Sequence, residues 1–142
     1  MTEATRLEIR RRLPAPPERV FAAWTEPALL GRWMSPFAEA EAQVDVRVGG
    51  VFTIVMHGQG QTIRHSGSYL ELEPPTRLVF TWQSPYTGSR PSIVTVLLRA
   101  VDAETEMTLI HEHLPPDAVA SHSGGWGQML EHLSKVVAEP WT

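Results

Sequence analysis

Two histidines one residue apart, in Ile110-His111-Glu112-His113, are the part of this 142-residue sequence best suited to chemistry. On a strand, an HxH pair projects both imidazoles from one face, about 6.5 to 7 Å apart at Cα. Three uses are open to such a pair. It can supply two ligands of a zinc site with an open position, with His65, His122 or His57 as the third. It can hydrogen-bond a bound molecule, or it can be satisfied within the protein or at a wet rim. No spacing marks a third ligand, so neither a metal nor any other cofactor is expected. His111 shares parity with Met107 and Leu109 and is the better candidate for the interior; His113, beside Leu114-Pro115, is the better candidate for solvent. An imidazole on an apolar face is also a site where a pKa can shift, which makes His111 the candidate general acid or base. Tyr69, Arg64 and Glu112 are further proton-transfer groups, but strand parity turns Glu112 away from His111 and no dyad assembles. A P-loop, a GxGxxG after a strand, HExxH and a nucleophile elbow are all missing.

A second group is apolar. Trp33, Phe37, Phe52, Met56, Phe80, Trp82, Trp126 and Met129 occupy positions that periodicity turns inward, and with His65, His111 and Leu130 they form the expected lining of a cavity. Most of such a set is ordinary core, yet five tryptophans in 142 residues favour a wide interior. Gly124, Gly125 and Gly127 fall in a helical window, where each glycine costs up to about 1 kcal/mol relative to alanine. Either the helix roofs a space that needs missing side-chain volume, or it begins only at Gly125 or Trp126 after a loop.

The elements that must position these residues follow from the hydrophobic period. Leu7, Ile9 and Leu13 alternate as a first strand, on which Arg6, Arg10 and Arg12 share the solvent face with Glu8. Pro16-Pro17 and Pro27 open two short helices, carrying Val20, Phe21 and Trp24, then Leu29, Leu30 and Trp33, with Pro36 closing the second. The period then becomes two. Val44, Val46 and Val48 lead through Gly49-Gly50 to Phe52, Ile54 and Met56, which predicts a hairpin with a type I′ turn. Strands follow at His65–Leu72, with Leu70 and Leu72 on one side, at Arg77–Gln83, at Ser92–Arg99 and at Thr105–His113. Their connections are too short for parallel crossovers, so the sheet is an antiparallel meander. Trp126, Met129, Leu130, Leu133 and Val137 mark a long last helix, with Asp117 or Ser121 as its N-cap. The whole reads as α+β, a single domain over residues 1–142, its sheet curled round the terminal helix.

Composition excludes several classes. There is no cysteine, which removes disulfide scaffolds, thiol nucleophiles and cysteine-ligated clusters and suits a reducing, cytoplasmic setting. Net charge is −4, from 12 Lys plus Arg against 16 Asp plus Glu, which argues against a nucleic-acid partner. No apolar run reaches the roughly 18 residues a membrane span needs, and the arginine-rich start is not a secretory signal. A homodimer through outward Ile93, Leu97 and Ile110 stays open.

Four ordered segments resemble a known family: "APPERVFAAWTEPALLGRWMSP", "DVRVGGVFTIVMHG", "LELEPPTRLVFTWQ" and "GGWGQMLEHLSKVV". Together they are similar to proteins related to the C-terminal domain of the activator of the heat-shock-protein-ninety ATPase, in the START-like, birch-pollen-allergen-like (SRPBCC) superfamily. The resemblance implies a helix-grip fold: seven antiparallel strands wrapped round a C-terminal helix, with two short helices after the first strand. Its pattern falls on Trp33, Gly49-Gly50, Trp82, His111 and Gly125-Trp126, and it supplies no established catalytic residue. The superfamily includes carriers of lipids and hormones, polyketide cyclases and co-chaperone domains. The expected function is binding of a hydrophobic lipid-like or aromatic small molecule between sheet and helix. A cyclase- or hydrolase-type enzyme using His111 is one alternative; a co-chaperone or stress-response partner is the other, although the extra N-terminal domain of the eukaryotic co-chaperone is not expected here.

Overall fold

The computed structural model describes residues 5–35, 39–58, 60–87 and 90–140; Phe37 lies outside them. The elements run β1 (Leu7–Leu13), α1 (Pro17–Thr25), α2 (Pro27–Trp33), β2 (Glu41–Val44), β3 (Val51–Gly58), β4 (Gln61–Glu73), β5 (Arg77–Trp82), β6 (Ser92–Val101), β7 (Glu104–Glu112) and α3 (Val119–Ala138). The strands form one antiparallel sheet in the order β1-β7-β6-β5-β4-β3-β2. Its concave face holds α3, and α1 and α2 close one end. The fold is the α+β helix grip.

Alternation decides which side chains enter the core. Ser92, Val94, Val96 and Leu98 of β6 point inward, as do Thr105, Met107, Leu109 and His111 of β7. Val94 stands opposite both Phe80 and His111, so the inward rows of three strands form continuous ladders. Each fully buried large apolar side chain contributes about 1.5–3 kcal/mol. From α3 come Trp126, Met129, Leu130, Leu133, Val136 and Val137 on one stripe. The arginines of β1 lie on the wet face as expected: Arg6 and Arg10 flank Glu8, and Arg12 meets Glu104 at 2.8 Å. Exposed pairs of this kind add little stability.

Three local expectations are corrected. The predicted type I′ turn at Gly49-Gly50 does not form, because β2 ends at Val44 and the chain crosses to Val51 by a longer loop. Only Gly49 of the pair has positive φ (85°); Val46 and Val48 are exposed in that loop, Val48 at 63%. The loop folds back onto β4, with Gly49 donating to the Tyr69 carbonyl and Tyr69 to that of Gly50. Leu70 and Leu72 do not share a face either. Tyr69 pairs with Phe80 but Glu71 with Val79, so Leu70 is the extra residue of a bulge and turns outward while Tyr69 and Leu72 face in. Finally, neither Asp117 nor Ser121 caps α3. A 3-10 turn over Pro116–Ala118 leads directly into the helix, and Ala118 occupies the cap position without a side-chain bond.

In the sheet, glycine is required at position 67. Gly67 stands opposite Phe52, and a Cβ there would overlap the Thr81 carbonyl oxygen and the Phe52 ring. A bare backbone lets β4 pass beneath that ring.

Candidate functional site

The N-terminal half of α3 stands off from β3, β4 and β5, leaving a cavity of about 300 Å³. Met56, Ile63 and Trp82 rise from the sheet, while Trp126, Met129 and the bare Cα of Gly125 descend from the helix. Ser35, His57, Gln61, Tyr86, Ser121 and His122 supply polar groups round it. The helix is continuous through Gly124, Gly125 and Gly127, so it does not begin at Gly125 or Trp126. A Cβ built on any of the three meets nothing within 4 Å, and at Gly125 the empty space is the cavity itself. Gly124 faces solvent, where no contact explains a glycine.

Behind this cavity lies a directed hydrogen-bond chain. The Trp126 indole N–H donates to His111 Nδ1 at 3.0 Å. An indole only donates, so Nδ1 carries the lone pair and Nε2 the proton. Nε2–H then donates to Ser92 Oγ at 2.7 Å, and the Ser92 hydroxyl donates to the Trp82 carbonyl at 2.6 Å. Both imidazole nitrogens are engaged in a ring that is 0% exposed. Burial, with a smaller contribution from nearby His122, pushes its pKa down to about 3. His111 is thereby a neutral tie between α3, β7, β6 and β5, with no proton to exchange near neutrality. The same-face HxH pair does not exist: β7 ends at Glu112, and His113 follows at φ 62°, exposed. Among the described residues no group of three or more His, Cys, Asp or Glu could hold a metal ion.

His65 and His122 are placed differently. His65 is 7% exposed, lines the cavity, and lies against the Trp82 ring at 4.7 Å between centroids. Its Nδ1 is buried without a hydrogen-bond partner. Burial, then His122, pushes its pKa down to about 4. His122, half-buried, donates Nδ1–H to the Ala118 carbonyl at 2.9 Å and sets its ring edge-on to His111 at 5.3 Å. His57, farther out, meets Thr62 and Glu41 in solvent-exposed contacts.

Of the residues expected to line the site, Met56, His65, Trp82, Trp126 and Met129 come together on the cavity. Phe52 and Phe80 instead border a void of only about 10 Å³ deeper in the shell. Leu130 is core, and Trp33 is fully buried beneath α1, its indole donating to the Ala23 carbonyl at 2.8 Å. Tyr69 is locked between Phe52 and Phe80, and burial pushes its phenol up to about 12. Gln61 and Ile63 escaped the sequence reading because β4 begins four residues earlier than expected; their odd numbers share the parity of His65, so the signal was present. Ser35 and Tyr86 lie outside strands and helices, where no period points to them.

The family model described as Activator of Hsp90 ATPase homolog 1-like protein matches residues 14–138. The chain belongs to this family. Protein CV1439 from Chromobacterium violaceum is 29% identical with a TM-score of 0.82, over 96% of this chain and 99% of that one. A Rhodobacter sphaeroides protein is 30% identical with a TM-score of 0.79, over 94% and 92%. PFC0360w, an HSP90 activator from Plasmodium falciparum, is 25% identical with a TM-score of 0.81, over 96% and 99%. A comparison with curated proteins gave no match. As in these relatives of the Hsp90-activator-like family, the sheet grips its terminal helix. No helix among the described residues is long and apolar enough to cross a membrane.

Proposed function

We propose that this member of the family is a small-molecule binding module that takes a mainly apolar, flat guest between the sheet and α3. The observation that carries this reading is the cavity of about 300 Å³ that Gly125 leaves open beside the packed Trp82 and Trp126. That volume is at the small end of ligand sites, and apolar walls with a few polar groups are their usual make-up. Soft Met56 and Met129 adapt to the outline of a guest and make favourable sulfur–aromatic contacts. The engaged state of His111 argues for binding rather than acid–base turnover. The absence of cysteine from the sequence suits the same role in the cytoplasm.

The test is fluorescence enhancement of N-phenyl-1-naphthylamine, with native mass spectrometry of the complex. Wild type is expected to bind one equivalent and Gly125→Leu none, with the variant still folded. Equal binding by the two would remove the cavity from the account. A second reading, activation of an Hsp90-type ATPase, has the family description and the Plasmodium relative behind it. Unchanged ATP turnover of the host chaperone in the presence of this protein would dismiss it.

A further inference from the structure

We infer that Trp82 sets the reach of the guest: its indole ends the slot, so a compact apolar molecule fits and a long acyl chain does not. This rests on the binding reading above and adds the size class of the guest. The register of β3 and β4 gives the slot a direction. Gly58 pairs with Gln61, Met56 with Ile63 and Ile54 with His65, and exposure falls along β4 from wet Gln61 through half-buried Ile63 to buried His65. At about 3.3 Å per residue, the stretch from Gln61 to His65 spans about 13 Å. Beyond His65 the same two strands carry Phe52 opposite Gly67, and there Phe52, Ile54 and Met34 border the small void of about 10 Å³. Ser35 lines the large cavity and its neighbour Met34 the void, so the two spaces follow one another along a single track. Of the described residues that border them, Trp82 alone belongs to both. Its ring is enclosed by others. Phe52 and Phe80 each stand 6.2 Å away, His65 covers it at 4.7 Å and Trp126 at 5.5 Å, while the Ser92 hydroxyl holds its carbonyl. At interior packing density a chain passes this point only by displacing several rings. A guest longer than the slot must leave its surplus at the mouth, in water, where no apolar surface is buried.

A series of 4-n-alkylphenols from ethyl to nonyl, competed against N-phenyl-1-naphthylamine, serves as the ruler. In the wild type each added methylene is expected to tighten binding about fourfold, the equivalent of roughly 0.8 kcal/mol, until the slot is full at about the pentyl member. Heptyl and nonyl should then stay within about twofold of pentyl. Trp82→Leu opens the way into the void, and the rise should continue to heptyl. Methionine-methyl NMR of the wild-type protein needs no variant and decides the matter if the leucine protein does not fold. Heptylphenol should move the methyls of Met56 and Met129, on the near side of Trp82, and leave that of Met34, on the far side, in place. Affinity that keeps climbing to nonyl in the wild type, a folded Trp82→Leu that levels off at the same member, or a Met34 methyl that moves with the other two would overturn the stop at Trp82 while leaving the cavity reading intact. If no member displaces the naphthylamine or moves Met56 or Met129, both are overturned.

Discussion

The two ends of the shell are built from the same kinds of side chain and have opposite outcomes. At the end closed by α1 and α2, Trp24 packs on Trp33 at 4.6 Å and on Phe80 at 6.2 Å, and Phe52 meets Phe80 edge-on at 5.4 Å. The residual void there is about 10 Å³. Under the first half of α3, Trp82 and Trp126 border about 300 Å³ of space. Trp126 touches both regions, reaching Trp24 at 5.9 Å and Trp82 at 5.5 Å. Aromatic content therefore does not decide whether a helix grip is filled or hollow. What decides it is whether a second helical layer packs into the shell, and whether the gripping helix carries a side chain at Gly125.

The largest expected effect lies at the filled end. Trp33→Ala should cost about 3–5 kcal/mol in denaturant unfolding, since nothing nearby can collapse into the space. If it costs no more than Met129→Ala on the cavity wall, the contrast between the ends is wrong.

Acid should act next, through the hollow side and the seam between the two. His111 and His65 are held neutral when folded, with pKa values of about 3 and about 4 against an ordinary 6.5. The unfolded chain then binds protons the native one refuses. Their contribution is complete above about pH 6.5 and is lost as pH falls below it, with a slope approaching about 1.4 kcal/mol per pH unit for each histidine. Unfolding free energies between pH 6 and 4.5 should show this slope, and His65→Phe should remove about half of it. A flat profile would mean that neither ring is sealed.

Gly125→Ala should stabilise the protein by up to about 1 kcal/mol, because the helix gains propensity and the added methyl meets no atom. A loss of stability would reveal a contact that the hollow end is not supposed to contain. The smallest effect is expected outside both ends. Arg32 joins α2 to Glu139 just beyond α3 by a two-pronged exposed ion pair, and Arg32→Ala should shift the midpoint least, with no shift in molar salt.

Much of this architecture was legible because burial imposes a period. The alternation in β6 and β7 and the stripe on α3 point to the core directly, and the quoted segments carry the family. What failed was local backbone choice. Gly49-Gly50 carries the composition of a tight turn, but the bonds of Gly49 and Gly50 to Tyr69 form only when β4 is alongside. The bulge at Leu70 is likewise set by pairing with β5, which no window of β4 contains. At the site, parity correctly turned His111 inward, yet could not tell an inward histidine that faces a space from one whose nitrogens are already spoken for. That distinction depends on Ser92 and Trp126, 19 and 15 residues away in the chain.

The chain of donors from Trp126 through His111 and Ser92 to Trp82 has a further consequence for assembly. Sliding β6 by a single residue would swing Ser92 to the convex side and leave the imidazole and indole without their relay. The last helix can thus seat itself fully only on three strands already in correct alignment, so its docking acts as a built-in inspection of the sheet.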